Sequence, residues 1–122
     1  MIHIDYRDPA PLYEQIIRRF EELILKGALP EGSTLPSVRS LAMELSINPN
    51  TIQRAYAELE KAGWIESRQG KGSVVSSNHA AAEAKKAEWI EKFHALLEEA
   101  DVLGVSKEEI LAQIEKEAGN HD

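Results

Sequence analysis

The run Ser46-Ile47-Asn48-Pro49 constrains what this chain can fold into more than any other feature. Proline has a fixed φ and no amide hydrogen, so it breaks a helix from inside but suits the first helical position. Asn48, directly before it, is a residue type that caps helix starts. A helix is therefore expected to begin at Pro49, with whatever precedes Asn48 a separate element. Upstream, Val38, Leu41, Ala42 and Leu45 recur at helical spacing behind Ser37, a second capping residue, which predicts a short helix of roughly nine residues. Downstream, Ile52, Ala55, Tyr56 and Leu59 give the inward face of a longer helix that Gly63 ends. Ser46 to Asn48 make the tight turn between the two. Two short helices joined in this way form a helix-turn-helix.

The flanks extend the pattern. Pro11 suits the first turn of a helix in which Leu12, Ile16, Phe20, Leu23 and Ile24 recur at helical spacing, and Gly27 should stop it. Residues 28–36 hold two prolines and a glycine and read as a loop, with a short strand around Thr34 and Leu35. After Gly63 the period becomes two. Trp64 to Arg68 lead into Gln69-Gly70-Lys71-Gly72, then Ser73, Val74 and Val75, a β-hairpin with a glycine-rich tip. Ser76 to His79 is polar and reads as a linker. From Ala80 the composition is Ala, Glu and Lys with Trp89, Phe93, Leu96, Leu97, Ala100 and Leu103 on one stripe, so a long amphipathic helix is expected up to Gly104. Ser106 with Glu109 makes a capping box for a last helix with Ile110, Leu111 and Ile114 expected to face inward. The expected fold is mainly α with a small β-hairpin. Residues 1–76 form a winged helix-turn-helix, and residues 77–122 a helical dimerisation tail of two helices.

Charge sharpens this division. The net charge of -7 looks wrong for a partner of nucleic acid, whose phosphates call for a basic surface. Yet residues 1–76 hold nine Lys and Arg against ten Asp and Glu, whereas residues 77–122 hold five against eleven. The acidity belongs to the tail, and what matters to a groove is where charge lies.

With the inward face of the third helix fixed, Asn50, Gln53, Arg54 and Ala57 must project outward. A helix in the major groove reads bases with its first turns, where Gln and Asn can bond adenine and Arg the O6 and N7 of guanine. The positive end of that helix, with the Thr51 hydroxyl, suits a phosphate. Arg39 would clamp the backbone from the second helix. In the hairpin tip, Lys71 between two glycines, Arg68, and the Gly70 and Gly72 amides are placed for phosphate or minor groove.

Four ordered segments carry a family resemblance. Leu12-Tyr13-Glu14-Gln15-Ile16, Leu35-Pro36-Ser37-Val38-Arg39-Ser40-Leu41-Ala42, Asn50-Thr51-Ile52-Gln53-Arg54-Ala55-Tyr56-Ala57-Glu58-Leu59-Glu60 and Gly70-Lys71-Gly72-Ser73-Val74 resemble the GntR family of bacterial regulators over about residues 7–76. The tail, with Gly104-Val105-Ser106-Lys107-Glu108-Glu109, resembles the YtrA subfamily. The resemblance implies a two-fold dimer held by the tail helices and acting as a repressor. It also implies DNA contacts at Ser37, Arg39, Asn50, Thr51, Gln53, Arg54, Gly70 and Lys71. Many members carry a basic residue where the recognition helix opens. Pro49 and Asn50 stand there in this chain, so the operator sequence does not carry over.

The tail's apolar stripe is expected to be a dimer seam made by Trp89, Phe93, Leu96, Leu97, Ala100, Leu103, Ile110 and Ile114, because so short a segment rarely makes a core of its own. A homodimer would set two recognition helices one turn of DNA apart over a palindromic operator with half-site centres about 10 base pairs apart. The expected partners are double-stranded operator DNA and a second copy of the chain. A small-molecule effector is left open and would bind at the dimer interface or between tail and DNA-binding domain. No cofactor, metal or membrane is expected. The chain has no cysteine, its histidines at 3, 79, 94 and 121 lack ligand spacing, and no run approaches the ~20 apolar residues of a membrane span. With neither a signal peptide nor a catalytic constellation, a cytoplasmic non-enzyme is expected. Two alternatives stay open: a winged-helix module for protein contacts, and an N-terminal fragment of a longer regulator with an effector or aminotransferase-like domain.

Overall fold

The computed structural model describes residues 2–120. Helices α1 (Leu12–Leu25), α2 (Val38–Leu45) and α3 (Pro49–Lys61) are followed by strands β1 (Ile65–Arg68) and β2 (Gly72–Val75), then by helices α4 (Ala80–Leu103) and α5 (Lys107–Asn120). The chain divides into two compact units, one ending at Glu83 and the other beginning at Ala84. The composition shift points to a division after Ser76. The compact unit extends into α4 because Ala81 and Ala82 pack onto the N-terminal core.

Capping chemistry sets the helix-turn-helix. The Ser37 hydroxyl accepts the Ser40 amide at 3.0 Å and opens α2, and the Asn48 side chain accepts the Asn50 amide at 2.9 Å with Pro49 at the first helical position of α3. Each such cap is worth about 1 kcal/mol. Between them Ser46 takes the left-handed conformation, φ 55°. The Ile47 amide donates back to the Ala42 carbonyl at 3.0 Å, and Ile47 itself is buried. Pro11 sits one place outside its expected position: it is the N-cap residue of α1, and its carbonyl accepts the amides of Glu14 and Gln15.

The three helices close over one apolar core in which Ile16, Phe20, Leu41, Ile52, Leu59 and Val74 are fully buried. Each contributes roughly 1.5 to 3 kcal/mol relative to exposure. Phe20 meets Tyr56 edge to face, with ring centroids 5.6 Å apart. The N-terminal segment also joins this core, which its charged composition does not announce. Ile2 and Ile4 are buried, and the buried Gln15 ties the segment down by accepting the Asp5 amide and donating to the Ala10 carbonyl, both at 3.1 Å.

The hairpin pairs antiparallel from Ile65 with Val75 to Arg68 with Gly72. The strand expected near Thr34 is reduced to a single bridge to Val74, reinforced by Leu35 donating to Ser73 and Val75 to Ser33, each at 2.8 Å. This anchors the base of the wing to the lead-in of α2. Trp64, expected in the first strand, lies just before it and is buried.

In the second unit α4 passes through Gly104, φ 76°, into α5. The Ser106 hydroxyl accepts the Glu109 amide at 3.1 Å, the N-cap half of the expected box. Phe93, Leu97, Ala100, Val105, Ile110 and Ile114 line a groove of about 340 Å³ between the two helices. Much of this unit's apolar surface faces outward: Trp89 is 60% exposed, Leu96 61% and Leu103 73%. Leu111 and Ile114, both expected to face inward, are 47% and 51% exposed. Ile90 and Val102 are exposed too, so the apolar surface is wider than one stripe.

Candidate nucleic-acid interface

Helix α3 presents two chemically distinct sides. Ile52, Ala55, Tyr56 and Leu59 are buried, while Asn50, Gln53, Arg54 and Ala57 are exposed, in the phase that the period of 3.6 requires. Thr51 is half-buried at the helix start. At the start of α2, the N-cap Ser37 is exposed with its hydroxyl oxygen engaged in the cap, and Arg39 is exposed. In the wing Gly70, Lys71 and Gly72 are exposed, and both glycines hold positive φ, 81° and 78°. That conformation is costly for any residue with a Cβ. Ser37, Lys71 and Gly72 line one cleft of about 380 Å³, so the opening of α2 and the wing tip share a surface. The Tyr56 hydroxyl donates to the Pro36 carbonyl at 2.7 Å from the same cleft wall.

The cations are not equivalent. Arg7, Arg18, Arg19 and Arg68 each stand against a carboxylate, at 3.3, 3.8, 3.3 and 2.7 Å. Among the described residues, the side chains of Arg39 and Lys71 make no ion pair or hydrogen bond, and Arg54 lies over the ring of Tyr13, 3.7 Å from its centroid. Lys26 and Lys61 also have no carboxylate partner among the described residues, but they sit where α1 and α3 end, where a cation complements the helix dipole. Three cations with uncommitted charge thus occur in the segments expected to meet DNA. Arg68 differs, since its Nε and Nη2 both donate to Glu66 Oε1.

Two of these relationships are not read from the sequence. The pairing of Glu66 with Arg68 follows from strand alternation, which puts residues two apart on one face. Tyr13 stands within a quoted motif without a role, and its contact with Arg54 exists only once α1 packs on α3. Among the described residues no group of three or more His, Cys, Asp or Glu could hold a metal, and no helix is long and apolar enough to cross a membrane. His121 lies outside the described residues.

A helix-turn-helix with an exposed polar recognition face and a glycine-tipped wing is the architecture of a DNA-binding transcription regulator. The profile of the bacterial regulatory proteins of the gntR family matches residues 12–75, and this chain belongs to that family. It is 51% identical over 78 residues to the HTH-type transcriptional repressor YtrA of Bacillus subtilis, a match that spans 64% of this chain and 60% of YtrA. It is 36% identical over 111 residues to the HTH-type transcriptional regulator YhcF of the same organism, spanning 89% of this chain and 91% of YhcF. A GntR family transcriptional regulator from Listeria monocytogenes superposes with a TM-score of 0.72 at 35% identity, covering 93% of this chain and 98% of that one. The chain is a DNA-binding transcription regulator, a class without enzymatic activity.

Proposed function

We propose that this chain acts in the cytoplasm as a homodimeric repressor that binds a palindromic operator. In each protomer Asn50, Gln53 and Arg54 read base edges. Ser37, Arg39 and Thr51 hold phosphates, and Arg68, Gly70, Lys71 and Gly72 bring the wing against the backbone or minor groove. The observation that carries this reading is the exposed polar side of α3 flanked by Arg39 and Lys71, against which no carboxylate stands among the described residues. Phosphate contacts need free cations, and base contacts need exposed bidentate side chains at the start of a helix. The name of the relative YtrA supports repression. The outward Trp89, Leu96 and Leu103, with the half-buried Phe93 and Ala100, support burial of the tail against a second copy together with Leu97, Ile110 and Ile114. An apolar surface of this extent is unusual on a monomer.

Selection from a random duplex pool, followed by mobility shifts on the winning duplex over a range of salt, tests the proposal. A two-fold symmetric consensus whose affinity falls as salt rises is expected. Recovery of no consensus, or binding indifferent to salt, would refute it.

A further inference from the structure

We propose that Tyr13 is a positioning residue for operator recognition, holding the Arg54 guanidinium pre-set to meet a guanine edge. The inference rests on Arg54 being a base contact. Four observations carry it. The Arg54 Cζ lies 3.7 Å from the centroid of the Tyr13 ring, well inside the ~6 Å over which a cation is attracted to an aromatic face. The ring is itself fixed: Tyr13 packs against the apolar core from α1, and its hydroxyl donates to Glu14 at 3.3 Å. Arg54 has no carboxylate partner among the described residues, so its charge remains available. None of its side-chain N–H groups has an acceptor among them either.

The kind of partner matters. A carboxylate takes the N–H edge of a guanidinium, as Glu66 does with Arg68 through Nε and Nη2. Guanine O6 and N7 likewise need two N–H donors from the rim of the guanidinium. An aromatic ring holds the cation through its face and leaves the edge donors uncommitted. Arginine side chains carry much rotamer entropy, and one already held loses less of it on binding. Tyr13 therefore acts on DNA through Arg54 without touching DNA itself.

The test repeats the duplex selection with the full chain as wild type, Tyr13→Leu, Tyr13→Phe and Arg54→Ala. Tyr13→Leu and Arg54→Ala are expected to relax preference at the same base pair of each half-site. On the wild-type consensus Tyr13→Leu should lose roughly two- to fivefold in affinity, the fold-change that corresponds to a surface cation–π contact. Tyr13→Phe keeps the ring and should keep both the consensus and, to within about twofold, the affinity. A Tyr13→Leu variant with an undiminished wild-type consensus, or with equal loss on every sequence, overturns the inference, as does an unchanged consensus for Arg54→Ala. A wild-type chain that selects nothing instead defeats the functional reading beneath it. Should Tyr13→Leu not fold, the wild-type proton spectrum decides. The Arg54 side-chain methylene resonances must show an upfield ring-current shift, and their lying at random-coil positions overturns the inference.

Discussion

The Tyr56 hydroxyl of α3 donates to the Pro36 carbonyl at 2.7 Å, tying the recognition helix to the residue that leads into α2. The bond spans 20 positions of sequence and fixes the two halves of the helix-turn-helix at one point. Tyr56→Phe keeps the edge-to-face contact with Phe20 but leaves the carbonyl without its partner, at a cost of roughly 1 to 3 kcal/mol. Urea denaturation should give that loss with an unchanged m-value. Burial also pushes the Tyr56 phenol above its ordinary value of 10.0. The folded form thus disfavours phenolate, so this part of the stability is intact below about pH 10 and is lost as pH rises beyond it. The Phe variant should lack that alkaline decline, and equal slopes for the two proteins would contradict the assignment.

Ser37 serves α2 through its hydroxyl and faces the cleft it shares with Lys71. Ser37→Ala should cost about 1 kcal/mol, or about 4 to 8 °C in melting temperature for a domain of this size. Ser37→Asp restores the cap but sets a negative charge at the interface. It should melt like wild type and bind DNA more weakly. Normal binding by the Asp variant would remove Ser37 from the contact surface.

Arg39 and Arg68 should behave differently. Arg39→Ala is expected to weaken binding to all sequences alike and to lower the salt slope by about 1. Arg68→Ala should change less, because Glu66 already occupies two of its donors. Glu66→Gln removes the competing carboxylate and should tighten binding while steepening the salt dependence. Affinity that is unchanged or reduced in Glu66→Gln would place Arg68 outside the contact set.

In the tail, Phe93 and Leu97 line the groove between α4 and α5. Replacing both with Glu should yield monomers in sedimentation, with helicity retained and operator affinity largely lost, because one half-site then binds without the other. A mutant that sediments like the wild type would locate the seam elsewhere.

Much of the N-terminal unit is legible because its signals are local. Ser37, Asn48 and Pro49 act on amides within a few residues, and the change of period at Gly63 is read in one window. The outward phase of Asn50, Gln53 and Arg54 follows from the same periodicity. What escapes is decided at a distance. Ile2 and Ile4 alternate with His3 and Asp5 in a run too short to assign to a strand, and the Asp5 amide that follows them is held by Gln15 from ten residues away. The role of Tyr13 needs α1 against α3, and the extension of the first unit to Glu83 needs Ala81 and Ala82 against the core.

That the polar side of α3 enters a DNA groove is tested most directly by titrating the isotopically labelled chain with the duplex it selects and following backbone amide shifts. The largest changes should fall at residues 37–39, 50–54 and 70–72, with little change at Ile52 side-chain methyls facing the core. Perturbation concentrated on other surfaces, with Gln53 and Arg54 unmoved at saturation, would contradict it.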